Sequence, residues 1–278
     1  MTKAMLYTDL DPASLPGRMM DNRFVLQQKV DGTRAIADLT GSAPRWVTRN
    51  GTPLKHSAAT QHLRLIEEHL PNDPMILDGE VMILTGEYLV FDLIECPHLG
   101  ISRASSQRER REALEQVLAP VPSDSPVRLL PEARTVGEKR RLLHEVRRLG
   151  GEGVMVKDRT ASYDSATRVR HSQRFKFVKD ADVIVTSVTR SRNDAGREIG
   201  SIQYAVHAPN GSLVHVGACS VIGKPHVEPG DVIEVAYLYW TGTVTYQPRM
   251  VRVREDKAPE ECTLDQFQPY SREVATLP

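Results

Sequence analysis

Short runs of apolar residues interrupted by polar ones fill the first 180 positions of the chain. RFVLQQ (23–28), AIADL (35–39), RWVTR (45–49), MILDGEVMIL (75–84), YLVFDLI (88–94) and GVMVK (153–157) are rich in β-branched and aromatic residues and bounded by turn residues. That pattern predicts strands. Three stretches break it with a helical period. Residues 57–70 place Leu63, Ile66 and Leu70 on one face, with Pro71 as a stop. Residues 106–118 open on Ser106 and Glu109, spaced as a capping box, and turn Leu114, Val117 and Leu118 inward. Residues 135–149 repeat the device with Thr135 and Glu138, bury Leu142, Val146 and Leu149, and end at Gly150. The arginines on the last two helices read as solvated faces.

From about residue 180 the helical period disappears. DVIVTSVT, SIQYAVHA, SLVHVGA, DVIEVAYLYW and MVRVRE follow one another, and PNG at 209–211 marks a hairpin. About five strands in roughly 100 residues fit a small closed barrel of the oligonucleotide-binding (OB-fold) type, and composition alone also allows another small sandwich. The expected fold class is α+β. A domain of antiparallel sheets with flanking helices covers 1–179, and an all-β domain covers 180–278.

Composition narrows the classes. Of 278 residues 40% are hydrophobic and 26% charged, which suits a folded core. Lys+Arg and Asp+Glu are equal at 36 each, so a generally basic nucleic-acid coat is disfavoured while a local basic face is not. Cys96, Cys219 and Cys262 are odd in number and widely spaced, which argues against a disulfide framework and a zinc site. No apolar run approaches the ~20 residues of a membrane helix. The start, MTKAMLYTDLDPASLPGRMM, has acids and prolines where a signal peptide is apolar. The expectation is a cytoplasmic protein without membrane association, with monomer as the default state.

Candidate chemistry begins at QQKVDGTRA (27–35). A lysine amine attacks phosphorus or carbonyl only when neutral, and cationic neighbours or a metal favour that form. Lys29 is followed by an Asp31-Gly32 turn and by Arg34. Alone, the hexapeptide KVDGTR (29–34) is weak evidence, and a strand end followed by a polar turn accounts for it better. Glu80, set among Val81, Met82, Ile83 and Leu84, must face solvent or find a partner. Phe91-Asp92 repeats the pattern in an apolar strand. Glu152 and Lys157 stand at opposite ends of GVMVK, and RFKFVKDAD (174–182) points Arg174 and Lys176 the same way. A lysine nucleophile, carboxylates, cations and an aromatic plane suit nucleotidyl transfer. No Walker P-loop or GxGxxG is present.

Taken in order, KVDGTR, TRNG (48–51), LDGE (77–80), VFDLI (90–94), EGVMVK (152–157), RFKFVKDAD and RVREDK (252–257) resemble the motif series of ATP-dependent DNA ligases, over about residues 24–257. KxDGxR is shared with RNA ligases and capping enzymes; the terminal RxDK is more specific to DNA ligases. An RNA ligase or capping-type nucleotidyltransferase is the alternative, and a non-catalytic nucleic-acid-binding module is a further one.

The resemblance implies that Lys29 attacks the α-phosphate of ATP to form lysyl-AMP, that AMP passes to the 5′-phosphate of nicked duplex DNA, and that the 3′-hydroxyl then displaces it. It implies roles in repair, replication or recombination of DNA. It places Gln27 near the adenine amino edge, Arg34 and Glu80 at the ribose, Arg49 at a phosphate, and Phe91 stacked on adenine. Glu152, with Glu80, would bind Mg²⁺ or Mn²⁺. Arg174 and Lys176 would neutralise the α-phosphate, although the family's first cation there is lysine, which makes Lys179 a rival. Arg254, Asp256 and Lys257 would meet the β- and γ-phosphates when the second domain swings over the site. Only 28 residues precede Lys29, too few for the domain with which NAD-dependent ligases grip nicotinamide, so ATP is the expected cofactor.

Overall fold

In the computed structural model, which describes residues 2–54, 60–165, 167–192, 196, 198–271 and 273–275, the chain divides into two units. One takes in the chain up to Val146, Gly153–Phe175 and the stretch from Val274; the other holds Arg147–Glu152 and Lys176–Glu273.

The first unit contains β1 (Leu6–Asp9), α1 (Leu15–Met20), β2 (Phe24–Gln28), β3 (Thr33–Asp38), β4 (Arg45–Thr48), α2 (Thr60–Glu67), β5 (Ile76–Val81), β6 (Tyr88–Glu95), α3 (Gln107–Leu118), β7 (Val127–Leu129), β8 (Glu132–Ala133), the first turns of α4 (Val136–Arg148), β9 (Gly153–Asp158) and most of β10 (Arg168–Lys176). The strands form two five-stranded sheets, ordered β1-β10-β9-β2-β8 and β4-β3-β5-β6-β7. Most pairings are antiparallel; β1–β10 and β6–β7 are parallel.

The expected helices exist where the apolar period places them. Leu63 and Ile66 of α2 and Leu114 and Leu118 of α3 join one core with Trp46 and Tyr88. Burying each such side chain is worth about 1.5–3 kcal/mol. The start expected for α2, residues 57–59, lies outside the described residues. Ser106 and Glu109 form the capping box, with Ser106 N–H donating to Glu109 at 2.7 Å. Thr135 and Glu138 exchange bonds the same way, at 2.8 and 3.3 Å. Helix α1 escapes the sequence reading because six residues, with Pro16 and Gly17 among them, carry no helical period.

One expectation is corrected. Arg110 and Arg111 of α3 are buried, not solvated. Arg110 is 1% exposed and forks onto Asp92 at 2.8 and 3.2 Å. Arg111 donates to the Leu130 carbonyl at 2.9 Å and pairs with Glu115 at 2.8 Å. Both use α3 to satisfy polar groups of the sheet it covers. The arginines of α4 are exposed as expected.

The second unit contains β11 (Lys179–Arg192), β12 (Glu198–His207), β13 (Leu213–Ser220), β14 (Val232–Tyr237), β15 (Tyr239–Trp240), β16 (Thr245–Tyr246) and β17 (Arg249–Val253). Five form an antiparallel sheet ordered β13-β12-β11-β14-β17, and β15–β16 is a small hairpin. Val183, Val185, Ile202, Tyr204, Val216, Ile233, Val235 and Met250 fill its core. The PNG turn joins β12 to β13, with Ala208 N–H donating to Ser212 O at 2.9 Å. The sheet's edges are β13 and β17; no ladder among the described residues pairs them into a closed ring.

Candidate active site

Lys29 stands just past β2, where its backbone N–H donates to Gly153 O at 2.8 Å and continues the β2–β9 ladder. The chain then turns into β3 through Gly32. A Cβ there would lie 2.5 Å from the Val81 carbonyl and 2.9 Å from Glu80 Cγ, so the turn seats against β5 only as glycine. Lys29 and Glu80 thereby line one cleft, together with Gln27, Arg34, Arg49, Phe91 and Arg174. All seven are residues singled out from the sequence. The cleft holds about 850 Å³ of empty space, its open mouth included, and both sheets of the first unit contribute to its walls.

Arg34 is anchored beneath this cleft. It forks onto Asp78 at 3.0 and 2.5 Å, donates to Met5 O at 2.8 Å and donates to the Tyr7 hydroxyl at 3.0 Å. Four of its five N–H groups are therefore engaged, leaving one for a ligand. Asp78, fully buried, also accepts from the Tyr163 hydroxyl at 2.7 Å. The Asp78-Gly79 pair is thus more than a strand break: the aspartate neutralises Arg34. At Gly79 a Cβ would meet the Tyr88 ring at 2.5 Å and Leu89 O at 2.7 Å.

Glu80 is set one position further along β5, opposite Arg34. Burial pushes its pKa up to about 7, against the pull of Lys29 and Arg34. Phe91 is the extra residue of a β-bulge: Gly79 pairs with Val90 and Asp78 with Asp92. The bulge lets two successive β6 side chains serve the same neighbourhood. The Phe91 ring lies 4.9 Å from Lys157 Nζ and 5.5 Å from the Arg34 guanidinium carbon, and Asp92 lies 4.0 Å from Lys157. Burial lowers the Lys157 pKa against the pull of Asp92. Burial opposes the Asp92 charge, but Arg110 and Lys157 overcome it and hold that carboxyl below its ordinary pKa.

Gln27 is 1% exposed. Its amide nitrogen donates to Glu132 Oε2 at 3.2 Å, and its Oε1 is buried with no hydrogen-bond partner. A carboxylate only accepts, so this contact fixes which way the amide points.

Three further arginines line the cleft. Arg49 is exposed, Arg168 donates to Tyr7 O at 3.0 Å, and Arg174 forks onto Asp9. Arg174, the departure from the family's usual lysine, is held by this exposed carboxylate, its register partner across β1–β10. Among the described residues no three His, Cys, Asp or Glu side chains converge as a metal cage. The cleft supplies Glu80 as a hard carboxylate donor.

The other residues singled out from sequence belong to the second unit. Glu152, 2% exposed, lies 3.6 Å from Lys176, which also donates to Gln247 at 3.4 Å. Lys179 donates to Gly150 O at 3.2 Å. Arg254 binds Asp182 at 2.9 and 3.1 Å and Asp256 at 2.8 and 3.0 Å, while Lys257 donates to Asp182 at 2.7 Å. Sequence reasoning gave no role to Tyr7, Glu132, Lys157, Arg168 or Asp182. Lys157, at the end of the apolar run GVMVK, was the one visible signal among them. The others act through partners far away along the chain.

The family model for the ATP dependent DNA ligase domain matches residues 7–95 and 84–176. The DNA ligase of Haloarcula marismortui is 24% identical over 297 residues, covering 86% of this chain and 53% of that protein. The DNA ligase of Methanothermobacter thermautotrophicus is 24% identical over 300 residues, again covering 86% and 53%. The chain spans about half the length of these curated relatives. Among solved structures, a Lig E DNA ligase described as a minimal DNA-binding scaffold superposes with a TM-score of 0.63 at 17% identity, covering 91% of this chain and 100% of that one. A mycobacterial DNA ligase D complexed with ATP gives 0.54 at 21% identity, covering 94% and 97%. The fold is shared with these ligases, and the matched family segments extend over more than half of the sequence: the chain belongs to the ATP-dependent DNA ligase domain family.

Proposed function

We propose that the chain is an ATP-dependent DNA ligase that seals nicks in duplex DNA through a lysyl-AMP formed at Lys29. One observation carries the reading: Lys29 shares a single cleft with an unpartnered acceptor on Gln27, the Glu80 carboxyl and the Phe91 ring. Those groups match a nucleophile, a reader of the adenine amino edge, a ribose contact and a stacking plane. Arg34 would add its remaining N–H at the ribose. Arg49 and Arg174 offer positive charge to phosphates, and a role at the α-phosphate is proposed for Lys176, with Lys179 its rival.

The chemistry follows from these atoms. After its ammonium passes a proton to solvent, Lys29 Nζ attacks the α-phosphorus. An N–P bond forms, the bond to the bridging oxygen breaks, pyrophosphate leaves with the electron pair, and the nitrogen gives up its second proton to solvent. A 5′-phosphate oxygen at the nick then takes the adenylate from Lys29, and the 3′-hydroxyl displaces AMP. Positioning and charge neutralisation do most of the work in such transfers.

Mg²⁺ or Mn²⁺, when bound, supplies charge neutralisation at the phosphates. Glu80 and Glu152 are the proposed protein ligands. Two carboxylates would suit a hard cation that prefers oxygen donors. Arg254 and Lys257 are proposed to bind the β- and γ-phosphates, aided by Asp256. We assign residues 1–179 to the adenylation domain and 180–278 to an OB-fold domain, acting as a cytoplasmic monomer on nicked DNA. No helix among the described residues is long and apolar enough to cross a membrane.

The test is a chase. Protein labelled with α-³²P-ATP should pass its label to the 5′-phosphate of a nicked DNA duplex and release it as AMP on sealing. Transfer to nicked RNA alone would make the chain an RNA ligase. Labelling by GTP with transfer to a diphosphate RNA end would make it a capping-type enzyme.

A further inference from the structure

We propose that Glu132 is a positioning residue that sets the purine preference of the cleft, by turning the Gln27 amide so that only an acceptor faces the base. The inference rests on the nucleotidyl-transfer reading above and concerns which triphosphate that site takes.

The geometry is local and nearly closed. Gln27 and Glu132 are register partners across the β2–β8 ladder. Glu132 has a side chain only 2% exposed. Its Oε2 accepts from Gln27 Nε2 at 3.2 Å and from Gln107 Nε2 at 2.7 Å, while its Oε1 accepts from Arg134 Nε at 3.2 Å. Arg134 pairs in turn with Glu115, which Arg111 also holds, at 2.8 Å. The carboxylate therefore has little freedom. Because it can only accept, it draws the amide nitrogen of Gln27 and leaves Oε1 over. That oxygen is buried and unpartnered on a residue lining the cleft. Gln107 Oε1 is also unpartnered, but Gln107 does not line the cleft.

A fixed acceptor distinguishes the two purines. Adenine carries an amino donor at C6, and guanine carries a carbonyl acceptor there. An amino group would satisfy Gln27 Oε1; a carbonyl would set two acceptors against each other at a buried atom. Leaving a buried polar group unsatisfied amounts to roughly tenfold to a hundredfold in an equilibrium. Glutamine could itself read either base by turning over. Glu132 removes that choice, so the selectivity resides in a side chain that never touches the nucleotide.

The experiment compares covalent labelling of the full chain by α-³²P-ATP and α-³²P-GTP, as the ratio of kcat/KM values. Wild type should favour ATP by tenfold or more. Glu132→Gln can donate as well as accept, which frees the Gln27 amide, so the ATP:GTP ratio should drop at least tenfold whatever the absolute rate. Glu132→Asp, whose shorter reach releases Gln27 Nε2, should move the ratio the same way and serves if the first variant does not fold. In a Gln27→Ala background Glu132→Gln should leave the ratio unmoved, an outcome that a general loosening of the cleft would not give. Folded Glu132 variants with the wild-type ratio would overturn the proposal, as would wild type that takes GTP as readily as ATP. Wild type that takes neither nucleotide would overturn the nucleotidyl-transfer reading instead.

Discussion

Arg34 and Asp78 form a two-pronged ion pair in which the aspartate is fully buried and the arginine spends four of its five donors on protein atoms. The pair fixes the floor of the cleft: Arg34 also lies 4.7 Å from the centre of the Tyr7 ring and 5.5 Å from that of Phe91. Removing one partner leaves the other charge buried and alone. Asp78→Ala should therefore destabilise the protein by about 3–5 kcal/mol, read by urea unfolding, whereas a solvated pair would cost under ~1 kcal/mol. A loss within that smaller range would mean that water reaches Arg34.

Glu80 gives a pH signature. Its folded pKa, about 7, lies above the ordinary 4.5. The folded state therefore binds a proton that the unfolded state releases as pH rises from 4.5 to 7. Stability tied to this group is present below that window and lost through it. Glu80→Gln should gain on wild type across the window by on the order of 2 kcal/mol, discounted for the carboxyl's partial exposure. Parallel stability curves for the two proteins over that range would show that Glu80 titrates normally.

Asp182 holds both cations of the RxDK segment, Arg254 at 2.9 Å and Lys257 at 2.7 Å. If these cations act on the β- and γ-phosphates, their removal should affect the step that expels pyrophosphate. Arg254→Ala and Lys257→Ala should each slow self-adenylation at least tenfold more than they slow sealing of a nick that already carries AMP. Rapid-quench measurement of both steps decides the matter; equal losses would contradict a role at the triphosphate.

Much of the site was legible in the sequence, for a physical reason. Lys29, Glu80 and Phe91 each interrupt or end an apolar strand, and a strand tolerates such residues only where a partner, ligand or solvent waits. The helices followed from their apolar period and capping pairs. What escaped depends on contacts between distant residues. Glu132 meets Gln27 across 105 positions, and Arg254 meets Asp182 across 72. Arg110 and Arg111 look like neighbours in a solvated charge run, yet both lie on the buried face of α3. The charge pattern of a helix does not reveal that the sheet beneath offers Asp92 as a partner. The second unit is all-β as its strand pattern implies, and among the described residues its five-stranded sheet ends at β13 and β17.

The central claim is that the Lys29 amine becomes covalently adenylated. Peptide mapping by mass spectrometry, after incubation of the full chain with ATP and Mg²⁺, tests it most directly. The peptide containing Lys29 should carry the added mass of one adenylate, with fragment ions placing it on that side chain, and Lys29→Ala should carry none. An unmodified Lys29 peptide, or an adenylate carried by another residue, would contradict it.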